Sequence, residues 1–380
     1  MKIALINNFY VRNYGSVLQS FALYKKLCNL GLDVVVVDYN DKPSMLNRIK
    51  GALILNRKAF VKKIISKIEK KNKPDSQFYK DRLKRNASFD EFAQKKYHFT
   101  KKYNNIFELT QDIRNFDAVL IGSDQLWAPS DILRNYHTLM WVPDSIKKVA
   151  YATSFGVAEL PAILKKTTHN FLQRIDFISV REFSGKEIVK GLIGKDVPVV
   201  MDPTLLLEQS EWGKMIPDKR IVEGDYIFAF FLGGNVKYRH FVKQISKEKH
   251  LKIVSVLHVE EYLYVDNDFA DVTYNYANPI DFINLIKNAN YVFTDSFHVS
   301  IFSIINERSF FVFNRYDEMS TNSRNTRLIS LLNKLGISER LVSVENIIDI
   351  DSPIDYSSVN QKIKEWRVQS DNYLNSALKY

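Results

Sequence analysis

Apolar residues run along the chain in two rhythms. Short runs rich in β-branched and aromatic side chains alternate with longer stretches in which apolar positions recur every three or four residues. Lys2 to Asn8 and Val34 to Val37 are the first two runs. Between them Val17, Leu18, Phe21, Ala22, Leu23, Leu27 and Leu30 keep helical spacing, and Gly31 ends that helix as a C-cap residue. A β-branched run without polar alternation suits a parallel strand covered on both faces. The chain therefore opens as a βαβ unit, the usual start of a doubly wound sheet.

Further strands are predicted at Phe116 to Ile121, Lys147 to Ala152, Phe177 to Val180 and Val197 to Met201. A second series follows at Tyr226 to Leu232, Leu251 to Leu257, Tyr291 to Thr294 and Phe310 to Phe313. Helical spacing predicts a helix near Leu328 to Leu335, stopped by Gly336, and an amphipathic helix over about Val359 to Leu378. The expected organisation is an N-terminal α/β domain over 1–203 with a helical insertion at about 42–105, a C-terminal α/β domain over 204–345, and a tail over 346–380 packing back onto the first domain. Two Rossmann-like halves joined near Asp202 would face each other across a cleft.

Polar residues cluster where the predicted strands end. Gly122-Ser123-Asp124-Gln125-Leu126-Trp127, Thr153-Ser154-Phe155-Gly156, Arg181-Glu182 and Asp202-Pro203-Thr204 each follow a strand of the first half. In doubly wound sheets that edge carries the ligand site. In the second half, Thr294-Asp295-Ser296 breaks the strand at Tyr291, and His298 stands at the head of an apolar helix. Of seven histidines it alone occupies a strand-to-helix turn, where the helix N-terminus favours anions. It is the candidate proton-handling residue. Asp295 would orient it or, more simply, cap the helix. Asp124, Gln125 and Trp127 read as a sugar site of planar polar groups beside an aromatic platform, or equally as an N-cap and a core Trp. Asn13 and Gly15, in the first loop, line the same edge. The Pro after Asp202 suggests a hinge there.

Composition narrows the class. Apolar content of 46% with 26% charged residues is ordinary for a folded globular chain. Cys28, the single cysteine, permits no internal disulfide, which suits a reducing cytosolic compartment. The opening MKIALINNFY is too short for a signal peptide, and no run of about 18 apolar residues exists. No His, Cys and Asp cluster has metal-ligand spacing, so no metal is expected. Net charge is +11, but it is local: between 41 and 105 there are 19 Lys and Arg against six Asp and Glu, which leaves the rest near neutral. The basic segment at 45–102 reads as a solvated helical hairpin or as a contact to an anionic surface, either membrane phospholipid or the diphosphate of a lipid-linked substrate. Its aromatic residues are spaced for helix packing rather than base stacking, so nucleic acid is not an expected partner.

Eight stretches carry a resemblance. They are Asn13 to Gln19, Gly122 to Trp127, Tyr151 to Gly156, Ser179 to Glu182, Asp202 to Thr204, Thr294 to His298, Phe302 to Ile304 and Asn322 to Arg324. In this order, over almost the whole chain, they resemble the polysaccharide pyruvyl transferases. The resemblance implies a two-domain fold of the GT-B kind. It also implies transfer of the enolpyruvyl unit of phosphoenolpyruvate to a sugar, usually as a cyclic ketal. Many members carry Arg two residues before the histidine, where Ser296 stands here. One branch has Thr-Asp-Ser-Phe-His, usually followed by Gly, where this chain has Val299.

The implied chemistry assigns roles. The phosphate and carboxylate of the donor need cations, and Arg binds both bidentately. Arg181 is the first choice, with Arg315 and Arg324 standing in for the absent arginine beside Ser296 and Phe297. His298 would protonate the methylene carbon, making C2 electrophilic for a sugar hydroxyl. Phosphoenolpyruvate enters as co-substrate, with no cofactor implied. The acceptor is expected to be a lipid-linked precursor of a surface polysaccharide, and the enzyme cytosolic, held at the inner leaflet by its basic segment. Two other readings remain open: a nucleotide-sugar glycosyltransferase of the same architecture, and a non-catalytic carbohydrate-binding protein.

Overall fold

The computed structural model describes residues 1–41, 77–256, 258, 262–315, 325–345 and 349–379. Two all-parallel sheets organise it. The first contains β1 (Lys2–Ile6), β2 (Asp33–Val36), β3 (Ala118–Asp124), β4 (Lys147–Thr153) and β5 (Phe177–Val180), in the order β2-β1-β3-β4-β5. The second contains β6 (Tyr226–Phe230), β7 (Lys252–Ser255), β8 (Val272–Thr273), β9 (Tyr291–Thr294), β10 (Ser309–Phe313) and β11 (Leu341–Val342), in the order β11-β10-β9-β6-β7-β8. Strand order reverses between β1 and β3 in one sheet and between β6 and β9 in the other, and ligands bind at the carboxyl ends of such strand pairs.

The apolar runs form strands because burial on both faces rewards them. In β3 every residue from Ala118 to Asp124 is buried, and β6 is buried throughout. Val197 to Met201 departs from expectation. It contributes only a parallel bridge between Val180 and Val199, because Pro198 has no N–H to donate; its carbonyl accepts from Val180 N instead. The two-residue strands β8 and β11 have too few residues to leave a periodic signal.

The helices used below are α1 (Tyr14–Asn29), α2 (Gln77–Lys96), α3 (Pro203–Leu206), α4 (Pro279–Lys287), α5 (Phe297–Ile305), α6 (Thr326–Leu335) and α7 (Tyr356–Leu378). Helix α1 begins at Tyr14, three residues before the apolar periodicity starts, because the Asn13 side chain accepts from Gly15 N and caps it. Helix α7 bridges the halves: its first turn meets the second half, where Tyr356 Oη donates to Arg308 O, and its later turns lie on the first, where Trp366 Nε1 donates to Val199 O and Tyr373 Oη donates to Ala150 O. Cys28 is half-buried.

One apolar cluster joins the halves. It runs from Ile3, Leu18 and Phe21 through Met201, Leu205 and Trp212 to Phe228 and Phe302. At the junction the Tyr14 ring stacks on Phe282 at 4.1 Å and 1°, and its hydroxyl donates to Ala277 O. Helix α2, the described end of the basic insertion, spans both halves. Its Phe89 packs on Tyr14, its Phe92 on Phe21, and its buried Arg85 donates to His258 O in the second half. Residues 45–76 of the predicted basic segment lie outside the described residues.

Candidate active site

Strand ends of both halves converge on one cluster of charged groups. Asp124 closes β3 with φ 81°, a left-handed conformation that Asp tolerates better than most residues. Its Oδ2 accepts from Ser16 Oγ at 2.7 Å, in the first turn of α1. Arg181, the residue after β5, donates Nη1 to Asp202 Oδ2 at 2.7 Å and Nη2 to Asp124 Oδ1 at 3.2 Å. The other oxygen of Asp202, Oδ1, accepts from Thr204 N and Thr204 Oγ1 and caps α3.

The second half supplies His298 in the first turn of α5. Its Nε2 stands 3.5 Å from Asp202 Oδ2, an ion-pair distance too long for a well-formed hydrogen bond. The opposite side of the ring passes directly over Gly15. A Cβ built there would overlap Nδ1 and Cγ of His298. Gly15 has no positive φ to accommodate; this close approach is what demands a glycine.

The electrostatics follow from this packing. Burial alone would raise the Asp124 carboxyl, but Arg181, then His298 and Arg327, hold it down to about 2. Asp202 is opposed by burial in the same way, and contact with His298 and the charge of Arg181 hold it well below the usual carboxylate range. Both carboxylates are thus anions at neutral pH, matched by the buried guanidinium of Arg181 and by Arg327, whose Nη1 lies 3.9 Å from Asp124 Oδ1.

A cavity of about 390 Å³ opens beside this cluster, between the halves. Of the residues singled out in the sequence, Asn13, Asp124, Gln125, Ser296, Phe297, His298 and Arg315 line it. Gly15 lies beneath the His298 ring. Arg181 stands behind the wall, its side chain 1% exposed and its guanidinium 5.1 Å from the Phe297 ring. Arg324 lies outside the described residues.

Three sequence-based readings are corrected. Trp127 is no platform: it is fully buried, packs on Phe155 and Phe171, and donates Nε1 to His137 O. Asp295 neither caps α5 nor orients His298. Its two oxygens accept from Leu232 N and Gly233 N, each at 2.7 Å, latching the loop after β6 to the loop after β9. Asp202 is not a hinge but a buried member of the charged cluster. Glu182 is buried too, accepting from Ser154 Oγ and Phe155 N to shape that loop.

Sequence reasoning passed over Arg327 and Arg134, which also line the cavity. Arg327 had a signal. It lies in the first turn of α6, where the helix dipole disfavours a cation and no acidic residue compensates. Such a misplaced charge asks for an anion, and Asp124 together with the cavity supplies the place for one.

A family model described as polysaccharide pyruvyl transferase matches residues 13–317, most of the chain and every cluster residue but Arg327. The chain belongs to that family. No curated protein matches it by sequence. Among solved structures, this pyruvyl transferase family member is similar to the MnaA–UDP complex of S. aureus, with 13% identity, a TM-score of 0.52, and 98% of this chain and 89% of that one covered. It is also similar to an α-glucosyltransferase solved with UDP and a 13-mer DNA, with 10% identity, a TM-score of 0.50, and 99% and 95% covered. At such identities the likeness is one of fold: two Rossmann-like domains in a GT-B-like arrangement.

Proposed function

We propose that this pyruvyl transferase moves the enolpyruvyl unit of phosphoenolpyruvate onto a sugar of a bacterial surface-polysaccharide precursor, lipid-linked, with His298 as the general acid. The observation that carries the reading is His298 on the wall of a cavity whose other cations are Arg315, Arg327 and Arg134. Phosphoenolpyruvate presents two anionic groups close together, and guanidinium forks match both.

In this reading Arg315 and Arg327 take the phosphate and carboxylate, beside Ser296 and Phe297 at the start of α5. Protonated His298 gives its proton to the methylene carbon, and a sugar hydroxyl adds to C2, its proton passing to the now neutral His298. Phosphate then leaves C2, and a second hydroxyl closes the ketal, its proton departing with the phosphate. Asp124, held ionised at about 2, is too weak a base to deprotonate a hydroxyl but accepts a hydrogen bond from one. Asn13 and Gln125 supply further polar contacts on the acceptor side. Arg181, buried behind the wall, acts by holding Asp124 in place. The basic segment would hold the enzyme to the membrane surface; among the described residues no helix is long and apolar enough to cross a membrane.

The test is incubation with phosphoenolpyruvate and lipid-linked or aryl hexosides, followed by mass spectrometry. A pyruvate increment with phosphate release is expected; thermal stabilisation by a nucleoside diphosphate alone, and none by phosphoenolpyruvate, would overturn the reading. His298→Gln should abolish turnover while phosphoenolpyruvate still raises the melting temperature.

A further inference from the structure

The histidine is presented by one half of the molecule, and the groups that face it come from the other. His298 follows β9 of the second sheet, whereas in the first half Asp124 closes β3, Arg181 follows β5 and Asp202 follows the segment bridged to β5. Asp202 is 1% exposed, so it touches no substrate. All of its oxygen capacity goes inward: Oδ1 to Thr204, Oδ2 to Arg181, with His298 Nε2 at 3.5 Å from that same Oδ2. On the other side, Gly15 of α1 leaves the ring no room to tilt away.

We infer that Asp202 is a positioning residue for His298, an anion facing Nε2 at 3.5 Å from across the domain junction that sets the ring's orientation against Gly15. The inference rests on the proton-donor reading of His298 given above. An anion beside the ring favours its protonated form. Because Asp202 is itself tied to Arg181 and to the cap of α3, ring orientation is coupled to the seating of one half on the other.

Asp202 and Asp124 are the carboxylates that interact with His298, and they are paired in turn with Arg181 and Arg327, from four separate segments. Both carboxylates ionise far below neutrality and the guanidiniums stay charged, so the charges around the ring are fixed over the neutral range. Losing the Asp202 charge removes an anion from beside the ring and so disfavours the protonated form on which the reaction depends.

Asp202→Asn in the full-length protein tests this, since the amide oxygen can still accept from Thr204. Relative to wild type, kcat should fall roughly 10- to 100-fold, as for loss of a partner that orients a working group. KM for phosphoenolpyruvate should change little, and the alkaline limb should move to lower pH. NMR of ¹⁵N-histidine-labelled protein gives a readout that needs no turnover: the His298 ring should titrate at lower pH in the variant, with a changed tautomer balance. An unmoved ring titration and an unmoved alkaline limb would overturn the inference, even with phosphoenolpyruvate transfer intact. Absent transfer in the wild-type protein would instead defeat the proposed reaction, and the ring titration would still decide the role of Asp202.

Discussion

Gly15 and His298 approach each other so closely that a side chain at Gly15 would overlap the ring, though the two are 283 positions apart. A methyl group at Gly15 has nowhere to go but into the imidazole, so Gly15→Ala must push the ring off Asp202 or separate the two halves. The expected outcome is a fall in turnover of at least tenfold with phosphoenolpyruvate binding retained, measured by steady-state rates beside a ligand melt. Ordinary rates would show that the ring does not work from this position. Arg181 shows the opposite economy. It has the residue type that a donor site calls for, yet its guanidinium faces two buried aspartates. Type and strand-end placement were readable from the chain; the direction of the side chain was not, because it depends on carboxylates that arrive from residues 124 and 202.

Among the elements, the loops after β6 and β9 are the pair that shape the second half of the site. Asp295 ties them through two backbone N–H groups, and Arg315 Nη2 donates to the Asp295 carbonyl from the third strand end. Gly233 fits there because a Cβ would come within 2.9 Å of Asp295 Oδ2. Asp295→Ala leaves those donors without a carboxylate, which should cost about 1–3 kcal/mol of stability in denaturant titration. The alkaline limb assigned to His298 should stay in place, unlike that of Asp202→Asn. A displaced limb would mean that Asp295 does act on the histidine. The strand-to-helix turn was legible from its polar break, but Asp295 looks like a cap in sequence because capping is the commonest local use of Asp there. A partner 62 residues upstream wins here, since its two N–H groups are closer to the carboxylate than those of α5.

For the molecule as a whole, the charged cluster makes stability depend on acid. Asp124, with its carboxyl held at about 2, and Asp202, also depressed, each have a folded value below the unfolded value of about 3.9. Such groups contribute stability that is complete above the unfolded value and disappears as pH falls through the folded one. The urea midpoint should therefore drop steeply between about pH 4 and pH 2, and Asp124→Asn should drop less steeply over that window. An equal slope in both would mean that the aspartate's ionisation does not support the junction.

The division between what the chain spells out and what folding decides follows the range of the interactions. Strands, helices and the strand-end position of the site are local properties: β-branched runs, helical periodicity and polar breaks read the same wherever the segment finally packs. His298, Asp124 and Asn13 could be picked out on that basis, and Arg315 through the family resemblance; the four share one cavity. Which side chains face that cavity was decided only by tertiary packing. Trp127 turned into the core because its ring is better buried than wetted, and Arg181 turned to two aspartates because a buried guanidinium must be paired. Asp202 became the partner of a histidine 96 residues away. The turn at 294–298 provides the histidine and its place at the sheet edge; the opposite half provides the anion that faces it and the glycine that lets it approach.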